Sequence, residues 1–263
     1  MKHSLIGLVL LLVGMSAASA GGTPESFTRD YRGLSSVEIS AEMMDVEISA
    51  IAGNTISVRV DSIPPGVTVS DRVRRRGVAL HVQGRPSWFD RDEVRAHMTV
   101  GVPNGISLDI TTSSGSITVQ GVQGRQTLRS ASGRVVLEEP GGEIVVRSAS
   151  GPVTARDIVG TIAVQTASGV VSLERCRGII TVETASGSIS GEGVQLTADA
   201  AFRTASGSIR VDLDNALEDL RYVLTTSSGR LRFGNVSGGN HLAGGSGRFL
   251  IEGRSASGSQ EYF

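Results

Sequence analysis

The sequence predicts an all-β protein, a single-stranded β-solenoid (β-helix) with coils of about 18 residues, preceded by a less regular β section. A Ser-Gly pair recurs every 18 residues through the middle of the chain, and apolar residues take alternate positions after each pair. A fixed period of this size is typical of repeat architectures, and alternation is the periodicity of a strand. Aromatic residues make up only 4% of the chain. The core must therefore consist of Val, Ile, Leu and Ala.

Residues 1–20 have the pattern of a secretory signal peptide. Lys2 gives a polar start, residues 5–13 form a short apolar run, and Ala18-Ser19-Ala20 is a small-residue cleavage signal. The alternative, a membrane anchor, is disfavoured because the apolar run is too short to span a bilayer comfortably. No later segment is apolar enough to cross a membrane. The sequence therefore predicts an exported protein with no transmembrane segment after cleavage, located in the periplasm, on the cell surface or outside the cell.

Residues 21–96 are predicted to form an N-terminal β section or cap. Apolar residues alternate with polar ones in residues 37–48, 56–60 and 78–82, as in half-buried strands, but without the 18-residue spacing. Such a section would cover the first regular coil, whose open edge would otherwise promote aggregation.

Residues 97–253 are predicted to form the solenoid itself. The Ser-Gly pairs lie at 114–115, 132–133, 150–151, 168–169, 186–187, 206–207, 228–229 and 246–247. Two positions after each glycine stand Ile117, Val135, Val153, Val171, Ile189, Ile209, Leu231 and Phe249. Further apolar residues stand four and seven positions after most of these glycines, as in Val119 and Val122 and, near the end of the repeat, Val236.

Each 18-residue unit reads as two short strands joined by two turns. One turn is the Ser-Gly corner, and the other holds a second glycine, as at Gly142 and Gly160. We expect glycine at both turns because a tight corner often needs a positive φ. The apolar stripe of one coil cannot be buried alone, so the next coil is expected to stack on it about 4.8 Å away.

The longer intervals near the end of the repeat are predicted to be outward loops. Residues 214–220 fit such a loop, with one helical turn, between two strands of the stack. The C-terminal tail, residues 254–263, is predicted to lie beyond the last regular coil and to cover that end.

Composition excludes several kinds of chemistry. The only lysine is Lys2, so the remaining chain has no lysine for Schiff-base formation, a phosphate-binding loop or a Ser-Lys dyad. Cys176 is the single cysteine and fits an inward position, which excludes an internal disulfide. The formal net charge of −1 argues against a nucleic-acid partner. The histidines have no metal-ligand spacing, and the sequence predicts no metal and no cofactor.

One stretch of the chain is similar to a known family. The segment Val100-Gly101-Val102-Pro103-Asn104-Gly105-Ile106-Ser107-Leu108-Asp109-Ile110 runs into Thr111-Thr112-Ser113-Ser114-Gly115, and a train of Thr/Ser-Ala-Ser-Gly corners follows. This pattern resembles the bacterial putative adhesin family, whose β-strand-repeat domains are uncharacterised. The resemblance covers residues 35–253 and implies an extracytoplasmic β-helical domain. It implies no catalytic or ligand-binding residue.

Two segments before the solenoid are candidate binding sites. Trp88 and Phe89 lie in a loop-like segment of a chain poor in aromatic residues, and such rings can stack on a sugar or insert into a partner. The alternative is a packing anchor for the N-terminal section. Arg74, Arg75 and Arg76 form a basic cluster, with Arg72 nearby, that could meet an anionic polymer. The alternative there is a solvated loop.

Two polar columns of the solenoid are further candidates for a function. Glu174, Glu192 and Asp212 share one outward position with Glu138 and Arg156, which indicates a charge ladder or a weak cation site. Glu174 and Glu192 would lie about 4.8 Å apart, close to the carboxylate separation of retaining glycosidases. The second column consists of the hydroxyl residues Ser130, Ser148, Thr166, Thr184, Thr204 and Thr226. We expect these hydroxyls to satisfy backbone groups of the corner.

The sequence therefore favours a non-catalytic binding, adhesion or scaffolding protein of the bacterial cell envelope. Its expected partner is an unknown protein or polysaccharide of the envelope. One alternative is a polysaccharide-active β-helix enzyme, a lyase or hydrolase. A second is a structural component of an envelope-stress sensing system.

Overall fold

The computed structural model describes residues 25–64, 66–84 and 96–263, of which 68% lie in β-strands. One turn of 3-10 helix, Leu217–Asp219, lies in the outward loop that the sequence predicts there. The all-β solenoid is confirmed. The predicted signal peptide lies outside the described residues.

The strands form two sheets that face each other across the core. Sheet A contains β1 (Glu25–Arg32), β3 (Asp45–Ala50), β4 (Thr55–Ile63), β7 (His97–Val102), β9 (Ile117–Gln120), β11 (Val135–Glu138), β13 (Val153–Arg156), β15 (Val171–Glu174), β17 (Ile189–Leu196), β19 (Ile209–Leu213), β21 (Leu231–Phe233), β22 (Val236–Gly238) and β25 (Gln260–Tyr262). Sheet B contains β2 (Ser36–Ala41), β5 (Val67–Arg74), β6 (Gly77–Gly84), β8 (Ser107–Thr112), β10 (Gln123–Ser130), β12 (Gly141–Ser148), β14 (Val159–Thr166), β16 (Arg177–Thr184), β18 (Ala200–Thr204), β20 (Leu220–Ser228), β23 (His241–Gly244) and β24 (Phe249–Ser257).

A coil consists of one strand from sheet B followed by one from sheet A, and neighbouring coils pair in parallel. Val153 lies opposite both Val135 and Val171, and Ile162 lies opposite both Ile144 and Ile180. Each of these two columns of stacked inward side chains, here called interior files, contains only residues that are at most 1% exposed. The predicted stacking of like residues, 18 positions apart in sequence, is therefore confirmed. Burial of each Val or Ile side chain is worth about 1.5–3 kcal/mol, so the interior files hold the stack together.

The first coil of the chain lies between two later ones. β2 pairs in parallel with both β6 and β8, and β3 pairs in parallel with both β7 and β9. The coil β2–β3 therefore separates β6–β7 from β8–β9. We expected the regular stack to begin at about residue 97, whereas strands on both sides of that position belong to the same two sheets. Alternation identifies strands but carries no information about which strands pair.

The last coil is inserted in the same way. β24 pairs in parallel with β18 and β20, and β25 with β19 and β21, so β24–β25 lies between two earlier coils. The corner of this coil is Ser257-Gly258, where an added Cβ on Gly258 would lie 2.0 Å from the Gly207 oxygen. The expectation that Ser246-Gly247 forms a corner of the ladder was wrong, since Gly247 packs against the backbone of Asp219 instead. Residues 254–263 are part of the stack and not a tail beyond it.

Antiparallel strands lie at both ends of the parallel stack. In sheet A, β4 pairs with β7 and β1 with β4 at one end, and β22 pairs with β21 at the other. In sheet B, β5 pairs with β6 and β23 with β20. Val236, which the repeat placed inward, is 50% exposed because it lies on the edge strand β22. Such short or charged edge strands hinder pairing with other chains.

Candidate functional site

The candidate site is a shallow cavity of about 180 Å³ on the outer face of sheet B, at the N-terminal end of the stack. It lies where the β5–β6 hairpin meets β2. Its lining includes Arg74 and Arg76 from the hairpin and Ser36 and Glu38 from β2. Two of the three arginines predicted as ligand-binding residues therefore border one depression. Arg75 lies between them in the turn.

The depression exists because β6 has small residues at its centre. Gly77 of β6 lies between Arg74 of β5 and Ser36 of β2. Two residues further along β6, Ala79 lies between Arg72 and Glu38. A Cβ added to Gly77 would lie 2.3 Å from Ser36 Oγ, so only glycine leaves this side chain its space. Because alternate residues of a strand point to opposite faces, Ala79 faces outward between the buried Val78 and Leu80.

The turn between β5 and β6 is held against β2 by three hydrogen bonds. The carbonyl oxygen of Arg76 accepts from the Ser35 nitrogen at 2.7 Å, from Ser35 Oγ at 3.3 Å and from the Ser36 nitrogen at 3.3 Å. Arg75 has a φ of 20°, an uncommon value for a residue with a side chain. These contacts fix the backbone from which Arg74, Arg75 and Arg76 extend.

The arginines of this hairpin are clustered, whereas several arginines of the stack are paired with carboxylates. Arg72, Arg74, Arg75 and Arg76 are all exposed, and none forms an ion pair with any residue described. On the stack, arginines meet carboxylates one coil away: Arg175 donates to Asp157 at 2.7 Å, and Arg203 donates to Glu183 at 2.6 Å and to Glu252 at 2.8 Å. The four arginines of the hairpin thus form a cluster of positive charge without an ion pair to the described residues.

Trp88 and Phe89 lie in residues 85–95, outside the described residues, and their role stays a prediction. That segment follows Gly84, whereas the arginine turn precedes Gly77, at the other end of β6. The seven residues of rise between these two points correspond to about 23 Å. The segment thus starts far from the arginine turn.

The acidic column forms part of a charge ladder. Arg156 donates to Glu174 at 2.8 Å and to Glu138 at 3.4 Å, so the three side chains alternate in charge across three coils. Glu192 lies opposite Glu174 in the sheet, and Asp212 follows Val211 in β19. No group of three or more His, Cys, Asp or Glu that could hold a metal ion occurs within residues 25–64, 66–84 and 96–263. A weak cation site at Glu174, Glu192 and Asp212 stays a prediction.

A neighbouring column has perturbed acidity. The Arg175 guanidinium donates to both carboxylate oxygens of Asp157, and this hydrogen bonding holds the pKa of Asp157 below its usual range. Burial raises the pKa of the Cys176 thiol, in agreement with its predicted place in the core. A thiol with a raised pKa forms little of the reactive thiolate.

The hydroxyl column is buried and satisfies the backbone of the corner, as predicted. Ser130 Oγ donates to the Gly133 oxygen at 3.0 Å, and Ser148 Oγ donates to the Gly151 oxygen at 2.9 Å. Thr166 Oγ1 accepts from the Gly169 nitrogen at 2.9 Å. These hydroxyl groups are therefore structural.

Sequence reasoning missed the β2 side of the cavity. Ser36 and Glu38 are ordinary outward residues of an alternating strand, and nothing in their neighbourhood in sequence points to Arg74 or Arg76. The signal that could have found them is the pair Gly77 and Ala79, small residues on the outward positions of a strand. That signal needs the pairing of β2 with β6, which only the fold provides.

Residues 34–259 match the family described as Toastrack DUF4097. The chain belongs to the Toastrack family. The match includes the inserted coil β2–β3 and most of the stack, and it ends directly before β25. The family resemblance inferred from the Pro-Asn-Gly step and the Ser-Gly corners is confirmed by this family match.

Three solved structures are similar to this Toastrack protein over most of its length. A putative lipid binding protein from Parabacteroides distasonis is 16% identical, with 92% of this chain and 94% of that chain covered and a TM-score of 0.49. A putative adhesin from Bacteroides fragilis is 14% identical, with 92% and 100% covered and a TM-score of 0.48. A putative cell adhesion protein from Clostridium sporogenes is 11% identical, with 91% and 98% covered and a TM-score of 0.30.

No curated protein matches the Toastrack chain at a significant level. Within the part of the chain that the structure describes, no helix has the length and apolar character needed to cross a lipid bilayer.

Proposed function

We propose that this Toastrack protein is an exported, non-catalytic binding and scaffolding module of the bacterial cell envelope. The signal-peptide pattern of residues 1–20 supports export. The observation that carries the binding role is the β5–β6 hairpin, where four exposed arginines make no ion pair with any described residue. Like charges clustered on a surface without carboxylate partners attract a partner of opposite charge.

The rest of the molecule supports a scaffold. The interior files are fully buried, and several outward charges of adjacent coils are paired, as in Arg156 with Glu174. A stack of coils with a closely packed apolar interior holds its end in a fixed orientation. The stack would therefore present the hairpin at one end of an elongated body.

A hydrolase or lyase built on the acidic column is less well supported. A retaining glycosidase places two carboxyl groups about 5–5.5 Å apart on either side of the bond to be cleaved. Here the Glu174 carboxylate accepts a hydrogen bond from Arg156 at 2.8 Å, and both belong to a ladder along an open strand face. Cleavage of acidic or neutral polysaccharides by the protein, lost in Glu174→Gln, would overturn the non-catalytic assignment.

The binding role is tested by sedimentation of the purified protein with isolated envelope fractions. We expect the protein to co-sediment, and we expect the triple variant Arg74→Gln, Arg75→Gln, Arg76→Gln to lose most of this binding while its melting temperature is unchanged. The matched control is Arg134→Gln, Arg177→Gln, Arg230→Gln, which removes three exposed arginines from elsewhere on the surface. Equal binding by both triple variants and the wild-type protein would contradict the proposal. Capture of one envelope protein alone, independent of the arginines, would instead favour a component of a stress-sensing assembly.

A further inference from the structure

We propose that the ligand of the β5–β6 hairpin is an acidic polysaccharide, a sugar polymer with repeated carboxylate or sulfate groups, bound in the depression between the hairpin and β2. This inference rests on the proposed binding function and names the chemical class of its ligand. The hairpin supplies Arg72, Arg74, Arg75 and Arg76, and the facing strand supplies Ser36 and Glu38.

The number and placement of the arginines point to a polymer. An exposed ion pair contributes about 0–1 kcal/mol, so one small anion at one of these guanidinium groups would be held weakly. Arg72 and Arg74 are two positions apart in one strand, which places their side chains on the same face about 7 Å from each other. A chain with repeated charges can meet several arginines at once, and each further contact is then intramolecular and adds to the affinity.

The floor of the depression points to a sugar. Gly77 and the buried Ala79 form the floor of the depression along β6, bounded by arginines on one side and by Ser36 and Glu38 on the other. Guanidinium groups donate to carboxylate and sulfate oxygens, while the Ser36 hydroxyl and the Glu38 carboxylate can accept hydrogen bonds from sugar hydroxyls. An elongated acidic sugar chain offers both kinds of group.

The electrostatics limit the site to this end of the sheet. Asp109 lies opposite Glu38 on the next strand, β8, and accepts a hydrogen bond from Arg129 at 2.5 Å. Further along the stack, several outward charges are paired across coils, as in Arg203 with Glu183 and Glu252. Glu38 is itself negative and borders the site, so its charge opposes the binding of an anion. Removal of that charge is therefore expected to strengthen binding.

The experiment measures binding of the purified protein to fluorescent dextran sulfate, to polygalacturonate and to uncharged dextran at about 50 mM and 300 mM salt, where screening differs strongly. We expect at least one charged polymer to bind, the affinity to fall with salt, and uncharged dextran not to bind. Arg74→Gln, Arg75→Gln, Arg76→Gln is expected to weaken binding at least tenfold. The control Arg134→Gln, Arg177→Gln, Arg230→Gln should change it less than threefold.

A second variant tests the placement in the depression. Glu38→Gln keeps an amide oxygen as acceptor and removes the negative charge, and we expect binding to tighten two- to fivefold. Unchanged or weaker binding in Glu38→Gln would overturn the placement. An equal loss in both triple arginine variants would show attraction by overall charge only and would overturn the site.

The remaining outcomes separate this inference from the function on which it rests. If neither charged polymer binds while envelope fractions still capture the protein through Arg74, Arg75 and Arg76, the polysaccharide inference is wrong and the binding function stands. Binding to vesicles that contain an anionic phospholipid, without binding to either polymer, would also overturn the inference in favour of a lipid surface. If neither polymers, vesicles nor envelope fractions bind, both proposals are wrong.

Discussion

Glycine serves two different purposes at the two corners of each coil. At Gly142, Gly160 and Gly178 the φ angles are 96°, 147° and 150°, values that a residue with a side chain rarely adopts. At the Ser-Gly corner the requirement is closeness: a Cβ added to Gly151 or Gly169 would lie 1.9 or 2.2 Å from the carbonyl oxygen of the equivalent glycine in the preceding coil. The expectation that a positive φ explains both corners was wrong for these two glycines.

The close approach at the Ser-Gly corner can be tested with one methyl group. We expect Gly169→Ala to lower the free energy of unfolding by about 1–3 kcal/mol, because the clash with the Gly151 oxygen can be relieved only by moving two stacked backbones apart. Urea denaturation followed by circular dichroism measures the change. The control is Gly239→Ala, where nothing lies within 4 Å of the added Cβ and little change is expected. Equal stability of the two variants would disprove the steric argument.

The strands carry ladders of opposite charge on their outer faces. On sheet B, Arg147 donates to Gln165, Gln165 to Glu183, and Arg203 to both Glu183 and Glu252. These side chains come from successive coils, so the ladder favours the register in which like positions lie side by side. The sequence indicated interleaved charges, but which arginine meets which carboxylate depends on the inserted coil that supplies Glu252.

This ladder makes part of the stability depend on pH. Hydrogen bonds from Arg203 hold the pKa of Glu252 below its ordinary value of 4.5. A carboxyl group with a lowered pKa in the folded state stabilises the fold above the pKa of the unfolded chain, and this stabilisation is lost as the pH falls through the folded value. We therefore expect Glu252→Gln to reduce the melting temperature slightly at pH 6 and to have a smaller effect at pH 3.

Melting of both proteins between pH 6 and pH 3 measures this difference. The expected loss at pH 6 corresponds to less than about 1 kcal/mol, because the pair is partly exposed to solvent. Glu218→Gln serves as the control, since no ion pair of Glu218 occurs in the described part of the chain. A destabilisation by Glu252→Gln that is the same at pH 6 and pH 3 would show that its charge does not matter.

The whole molecule is a stack whose order differs from chain order at both ends. The coil β2–β3 lies between β6–β7 and β8–β9, and the coil β24–β25 lies between β18–β19 and β20–β21. Strands that pair in the sheet are therefore far apart in sequence. Phe202 of β18, for example, lies opposite Gly253 of β24. The final segment completes the interior, since Ile251 and Tyr262 are both 0% exposed.

The inserted C-terminal coil leads to a complementation test. We expect a chain that ends at residue 247 to be strongly destabilised. In that chain β18 and β20 lose the strand that lies between them, and the rings of Phe202 and Phe233 lose their contact with Tyr262. A synthetic peptide of residues 248–263 should bind this shortened chain and restore its melting temperature. Calorimetry and thermal denaturation measure the two effects.

A matched peptide distinguishes insertion from unspecific association. Replacement of Ile251 and Tyr262 by Asp places two charges at fully buried positions. The free energy of desolvating these charges is larger than the free energy gained from the hydrogen bonds of the strand. We expect this peptide not to bind. Equal rescue by both peptides, or a shortened chain as stable as the intact protein, would contradict the essential role of the inserted coil.

The candidate site also forms only at the scale of the whole molecule. The basic cluster Arg74, Arg75 and Arg76 was visible in the sequence, because clustered charge is a property of adjacent residues. The opposite wall, Ser36 and Glu38, comes from a strand about forty residues earlier and meets the hairpin through parallel pairing with β6. Trp88 and Phe89 were equally visible in the sequence, and their place relative to the arginines stays a prediction.

The sequence by itself determined the length of the regular coil, its two strands and its inward residues. These features follow from a period of 18 residues and from the alternation of apolar and polar residues, which are both local properties of the chain. Only the tertiary structure decided the order of the coils and the antiparallel strands at the ends. The inward faces of the coils are nearly alike in shape and chemistry, so local pattern does not choose among neighbours. That choice depends on loop lengths and on the packing of particular side chains at each end, such as Tyr262 against Phe202 and Phe233.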